Sequence, residues 1–190
     1  MRIIAGQFRG RALASVGKGD AGAHLRPTTD RVRESLFSVL THYGVIPGAR
    51  VLDLFAGTGA LGLEALSRGA DHVSFVENGR VAQGLIGKNI EITRSVAATR
   101  LIRRDAARLG ACDAAPFDLV FLDPPYGKGM GERALEVARV GGWLAPGALV
   151  VWEENAPTEP PEGFTLLERR KYGDTHVTLL EADGEGSGSA

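Results

Sequence analysis

From Arg50 onward the chain repeats one pattern that few folds satisfy: short apolar runs alternating with longer stretches of helical periodicity. The runs at 50–55, 73–77, 100–103, 117–122 and 148–152 read as strands, and 60–68, 80–94 and 131–140 read as helices between them. Strands that are apolar throughout and separated by helices need crossover connections, so they build a parallel sheet covered on both faces. An open α/β fold is the expectation. The proline-rich segment 156–163 cannot continue a helix, and 164–171 with 175–181, joined at Gly173 and Asp174, read as a closing hairpin.

Ahead of the alternation, residues 2–13 carry two glycines and a loose alternation that suits a short twisted hairpin, and 16–24 reads as loop. A helix opens at Pro27-Thr28-Thr29-Asp30, where a threonine hydroxyl can cap free amides and Asp30 suits the positive end of the dipole. Its apolar stripe is Val32, Leu36, Val39, Leu40 and Tyr43, and Gly44 stops it. Residues 182–190 have nothing to bury and are expected to be a disordered tail.

Composition narrows the class. Hydrophobic residues at 44% and charged residues at 24% are globular proportions, which excludes a fibrous or disordered chain. No stretch approaches the roughly 20 apolar residues of a membrane span, and the first residues lack the apolar core of a secretory signal, so the protein is expected in the cytoplasm without a membrane partner. The single cysteine, Cys112, excludes a disulfide framework, and His24, His42, His72 and His176 are scattered, so no metal is expected. A net charge of −1 hides an asymmetry: residues 1–34 hold seven basic and three acidic side chains, net +4, which leaves −5 for the rest. Arginines on a hairpin and at a helix start suit RNA phosphates.

Two loops carry chemistry. The strand at 50–55 runs into Ala56-Gly57-Thr58-Gly59-Ala60-Leu61-Gly62, a G-x-G-x-x-G turn in strand–turn–helix context, which places free amides and close backbone approach at a nucleotide-like ligand. A pyrophosphate wants an uncluttered helix start, whereas Asp53 stands immediately before the loop. That carboxylate suits a ligand bearing ammonium and sulfonium groups, which points to S-adenosylmethionine. Glu77 ends the second strand, where an acid reaches a ribose diol, and Asp105 follows the third, where it can meet an adenine amino group.

The fourth strand ends in Asp123-Pro124-Pro125-Tyr126-Gly127. Consecutive prolines remove backbone donors and fix φ, so this loop is a rigid surface of acceptors. An exocyclic amine is a poor nucleophile because its lone pair is delocalised. Accepting its two hydrogens with the Asp123 carboxylate and the Pro124 carbonyl orients it and enriches the nitrogen, while Tyr126 stacks on the flat group bearing it. The reading is amine methylation. Adenine N6, cytosine N4 or a protein glutamine stay open as acceptors, and so does an NAD-binding or non-catalytic nucleotide-binding protein.

Residues 53–59 resemble motif I, and 123–126 motif IV, of the class I S-adenosylmethionine-dependent amino-methyltransferases. Residues 2–11 (RIIAGQFRGR) and 26–37 (RPTTDRVRESLF) resemble the amino-terminal signature of the bacterial RsmD family, the 16S ribosomal RNA guanine-N2 methyltransferases. The resemblance spans roughly residues 1–180; the loop 16–24 departs from it in length and in carrying Asp20. It implies a Rossmann-like class I sheet, mostly parallel, of seven strands with the last antiparallel. It implies an RNA-binding extension at 1–44, a methyltransferase domain at 45–181, and as substrate the N2 amine of a guanine in ribosomal RNA or a partly assembled small subunit. The protein is expected to act as a monomer. The residues expected at the cofactor are Asp53, Phe55, Ala56, Gly57, Thr58, Gly59, Glu77, Asn78, Asp105 and Ala106. Those expected at the target base are Asp123, Pro124, Pro125 and Tyr126, and those at RNA are Arg9, Arg11, Arg26, Thr28, Thr29, Arg31 and Arg33.

Overall fold

The structure, a computed structural model, describes residues 1–16 and 29–184. Its seven strands are β1 (Arg50–Leu54), β2 (His72–Val76), β3 (Thr99–Ile102), β4 (Phe117–Leu122), β5 (Leu144–Glu154), β6 (Phe164–Tyr172) and β7 (Thr175–Ala182). Four α-helices, α1 (Asp30–Tyr43), α2 (Ala60–Ser67), α3 (Arg80–Thr93) and α4 (Met130–Val140), lie among them. The sheet order is β3-β2-β1-β4-β5-β7-β6. Strands β1 to β5 pair in parallel, and β7 runs antiparallel between β5 and β6. This is the mostly parallel sheet with a reversed last strand that the sequence led us to expect. The order reverses between β1 and β4, and open sheets of this kind take ligands at the carboxyl ends of the strands beside such a switch.

Both faces of the sheet are covered. On one face Val51, Val73, Phe75, Leu119 and Phe121 pack with Leu36, Phe37 and Leu40 of α1, Leu63 and Leu66 of α2, and Ile3 and Leu13 of the amino-terminal arm. On the other, Leu52, Leu54, Val120 and Leu122 pack with Ala134, Leu135 and Ala138 of α4. The amino-terminal arm and α1 therefore share a core with the sheet. The arm docks on the carboxyl end of α2: Glu64 accepts from the amides of Ile4 (2.8 Å) and Ala5 (3.1 Å), and the Ser67 hydroxyl donates to the Ala5 carbonyl at 2.6 Å. Gly6 (φ +82°) lies so close that a Cβ there would meet the Ser67 carbonyl oxygen at 1.8 Å.

Two expectations need correction, and one is sharpened. The amino-terminal hairpin is short: an antiparallel bridge joins Arg2 and Ala12, flanked by the Ile3 amide on the Arg11 carbonyl at 3.0 Å and the Leu13 amide on the Met1 carbonyl at 3.1 Å, while other backbone donors of the arm turn to Glu64 and Ser67. Strand β5 begins at Leu144, four residues earlier than the apolar run at 148–152 suggests. Residues 182 and 183 are not tail: Ala182 closes β7 opposite Phe164 and is buried against it, and the Asp183 amide donates to the Gly163 carbonyl at 2.9 Å. The loop expected at 16–24 lies, but for Val16, outside the described residues, as do 185–190.

Candidate active site

The glycine loop is braced from beneath by carboxylates. Asp53, 2% exposed in β1, accepts from the Gly62 amide at 3.0 Å through Oδ2 and so fixes the first turn of α2 against the strand. Burial pushes the Asp53 carboxyl up to about 8; the Gly62 amide opposes that shift and Glu77 adds to it. Glu77, just past β2, accepts from the Gly57 amide at 3.0 Å and the Gly79 amide at 2.7 Å, one on each oxygen. It clamps the loop to the turn that opens α3. Gly59, the N-cap of α2, has φ +77°, and a Cβ there would meet the Phe75 ring at 3.2 Å. Phe55 also takes a positive φ, 58°, in a conformation that costs an L-residue energy and that clusters at functional turns.

The remaining candidates stand along the same edge. Asp105 follows β3 and accepts from the Ala107 amide at 2.9 Å, capping a single turn at Ala106–Arg108. Ala106 is buried beside Leu54, Val76 and Ile102, so only its backbone can face a ligand, whereas Asn78 is exposed. Ala56 is half-buried, and Thr58, itself buried, directs its carbonyl to Asn89 Nδ2 at 2.9 Å. Carboxylates dominate this set. That chemistry fits the ammonium, the sulfonium, the ribose diol and the adenine amine of S-adenosylmethionine, and it suits a pyrophosphate poorly.

The second loop meets the first directly. The Asp123 amide points at the Leu54 carbonyl, 3.5 Å away, so the end of β4 abuts the strand that feeds the glycine loop. Desolvation raises the Asp123 carboxyl well above the usual carboxylate range, and the charges of Glu153, Asp53 and Glu154 push it further. Pro124 is buried, Pro125 exposed and Tyr126 half-buried. The Tyr126 hydroxyl donates to Glu153 Oε1 at 3.1 Å, and the Gly127 amide donates to Glu154 Oε1 at 3.3 Å. Burial, with Glu153 and Asp123 alongside, pushes the Tyr126 phenol up, so it stays a donor. Glu153 and Glu154, closing β5, hold this loop through Tyr126 and Gly127, and reading the sequence missed them. The signal was available: they are acids ending a strand at the ligand edge, as Glu77 is.

The basic residues divide. Arg9 and Arg31 are exposed, and Thr29 caps α1, its hydroxyl accepting from the Val32 amide at 3.4 Å. Arg11 is half-buried, lies over the Phe8 ring at 5.1 Å and donates to the Ile92 carbonyl at 2.9 Å. Arg33 requires a correction. It is fully buried, donating to Asp30 Oδ1 at 2.6 Å and to the Arg2 carbonyl at 2.7 Å, with Glu64 3.8 Å away, so it joins α1 to α2 and the arm and is closed to phosphate. Arg26 and Thr28 lie outside the described residues.

A switch-point sheet of this order, with an acid-braced glycine turn after β1 and an acceptor loop after β4, defines a class I methyltransferase fold. The family model described as "Conserved hypothetical protein 95" matches residues 1–181. The chain belongs to that family, the RsmD family. It is similar to ribosomal RNA small subunit methyltransferase D of Escherichia coli K12, with 37% identity covering 100% of this chain and 94% of that protein. It is also similar to the protein of the same name from Haemophilus influenzae, with 38% identity covering 95% of this chain and 93% of that one. Among solved structures, yhhF of Escherichia coli superposes with a TM-score of 0.83 at 37% identity, covering 97% of this chain and 99% of that one.

Proposed function

We propose that this protein transfers a methyl group from S-adenosylmethionine to the exocyclic N2 amine of a guanine in 16S ribosomal RNA. The observation that carries the reading is the abutment of the two loops: Asp123, with its acceptor prolines, is set against Leu54 at the entrance to the glycine turn. The names of the relatives support ribosomal RNA of the small subunit as the substrate.

When bound, the cofactor supplies a sulfonium-borne methyl group as electrophile. The residues of the chain do the rest. Asp53, Phe55, Ala56, Gly57, Thr58 and Gly59 form the cradle for its methionine part, Glu77 and Asn78 meet the ribose, and Asp105 with the Ala106 backbone meets the adenine. The Asp123 carboxylate and the Pro124 carbonyl accept the two amine hydrogens and aim the nitrogen lone pair toward the glycine turn. Pro125 keeps the loop stiff, and Tyr126 covers the face of the base. As the nitrogen acquires a methyl it becomes acidic, and Asp123, whose burial and acidic neighbours raise its proton affinity, takes the proton. A guanine must leave its stack to enter, so the substrate is a single-stranded or splayed base. Residues 1–44 form the RNA-binding part, with Arg9, Arg11, Arg31 and the α1 start at Thr29 on phosphates. The protein acts as a cytoplasmic monomer on a partly assembled small subunit; among the described residues no helix is long and apolar enough to cross a membrane.

The test uses small subunits from a strain lacking this gene, incubated with the protein and labelled S-adenosylmethionine, followed by nucleoside analysis. N2-methylguanosine is expected. Label in N6-methyladenosine or N4-methylcytosine overturns the choice of base, and no transfer at all overturns the enzyme reading.

A further inference from the structure

Asn89 of α3 joins two parts of the molecule that the methyl-transfer scheme treats separately. It is fully buried, and its side-chain amide bonds to both. Oδ1 accepts from the Ala14 amide at 2.7 Å, while Nδ2 donates to the Ala14 carbonyl at 3.1 Å and to the Thr58 carbonyl at 2.9 Å. Ala14 belongs to the amino-terminal arm, whose Arg11 also reaches α3 at the Ile92 carbonyl. Thr58 belongs to the glycine loop and stands between Gly57 (φ +58°) and Gly59 (φ +77°). Glycines permit several turn conformations, so a donor held on the intervening carbonyl helps decide which one is kept.

The pattern of bonds has a direction. A side-chain amide turned over exchanges its donor and acceptor ends. With Ala14 in place, its N–H faces Oδ1 and Nδ2 is left on the two carbonyls; the reverse orientation sets donor on donor and oxygen on oxygen. The arm therefore selects the end of Asn89 that holds Thr58. A buried polar group that loses its partner is costly, so the docked arm and the ordered loop favour each other. We propose that Asn89 is a positioning residue that couples RNA binding at the arm to cofactor binding at the glycine loop. An RNA that holds the arm down on α3 fixes the loop in its cofactor-binding form, and by linkage the cofactor raises the affinity for RNA by the same factor. The assignment rests on the reading of residues 1–44 as the RNA-binding part and goes beyond it by naming the link between the two ligands.

The test measures binding of labelled S-adenosylhomocysteine by equilibrium dialysis, with the protein alone and with saturating small subunits from a strain lacking this gene. In wild type the small subunit should tighten that binding about fivefold or more, as coupled sites do. Asn89→Ser, too short to span Ala14 and Thr58 together, should bring the ratio of the two affinities to within about twofold of one. Melting temperature is read beside it: a residue with only a structural role lowers Tm and leaves the ratio as it was. Should the Ser variant not fold, Ala14→Pro replaces it, because proline removes the N–H that sets the amide and leaves the residues of α3 and the glycine loop unchanged. Its ratio must fall as well. A wild-type ratio near one overturns the assignment. So does an undiminished ratio in the variant, the result expected if base and cofactor simply touch. Wild-type protein that neither binds nor methylates small subunits overturns the underlying reading instead, so the two failures are distinct.

Discussion

The two loops at the carboxyl edge use the same functional group in opposite ways. At the glycine loop each carboxylate is met by backbone amides: Asp53 by Gly62, and Glu77 by both Gly57 and Gly79. At the β4 loop the prolines remove the backbone donors that follow Asp123, which burial and Glu153 drive up, while Glu153 takes the Tyr126 hydroxyl and Glu154 the Gly127 amide. The first loop is satisfied within the protein and suits holding a ligand in a fixed place. The second withholds proline N–H groups from Asp123 and suits drawing an N–H group to that carboxylate. The difference teaches that a carboxylate's role follows from its backbone surroundings more than from its identity.

If this division is right, Asp123→Ala produces the largest effect. Removing one preorganised electrostatic partner of a transition state costs about 100-fold to 1,000-fold in turnover. We expect a fall of that size in kcat, with S-adenosylhomocysteine affinity unchanged within about threefold by calorimetry. A variant that loses cofactor affinity instead, at an intact rate, breaks the comparison at its stronger side.

Glu77→Gln is the converse and should be smaller. One amide oxygen cannot replace two carboxylate oxygens toward Gly57 and Gly79, and hydrogen bonds to a charged group are worth about 1.5–3 kcal/mol each. S-adenosylhomocysteine should bind about 10- to 30-fold more weakly, with kcat at saturating cofactor within about threefold of wild type. If kcat collapses while affinity holds, the loops do not divide binding from chemistry.

Much of this was legible in the chain because it depends on local pattern. Apolar runs marked the strands to within a few residues, and the Asp-Pro-Pro-Tyr segment declared its acceptor character through the missing donors of proline. What could not be read required neighbours. Glu153 matters because β5 lies beside β4, a fact of sheet order and not of spacing. Phe55 takes a positive φ because the turn demands it, against the ordinary preference of an aromatic residue. Arg33 was read as a phosphate ligand from its charge, yet it stands three, four and seven residues before Leu36, Phe37 and Leu40 on the buried face of α1. Helical periodicity carried that warning, and the charge obscured it.

Asp53 sits where the two regions meet, bracing the first loop and adding its charge to the field at Asp123. It yields the subtlest prediction. Its carboxyl, at 3.8 by ordinary expectation, is raised to about 8 in the folded protein, so the native state keeps a proton that the unfolded chain releases. A raised acid contributes stability that is full below the unfolded value and is lost as pH rises through the folded one, with a slope of at most about 1.4 kcal/mol per pH unit. Ligand-free wild type should therefore lose Tm steadily from pH 5 toward about 8, more steeply than Asp53→Asn, whose amide does not titrate. Asp123 contributes a slope of the same sign to both proteins, smaller in the variant that lacks the Asp53 charge, and so adds to the difference in the same direction. Saturating S-adenosylhomocysteine sharpens the comparison, because an ammonium beside Asp53 favours the charged carboxylate and lowers its proton affinity. The difference in slope between wild type and variant should shrink with that ligand. A difference unmoved by it would make Asp53 a brace and nothing more, and would leave the methionine end of the cofactor to the loop backbone alone.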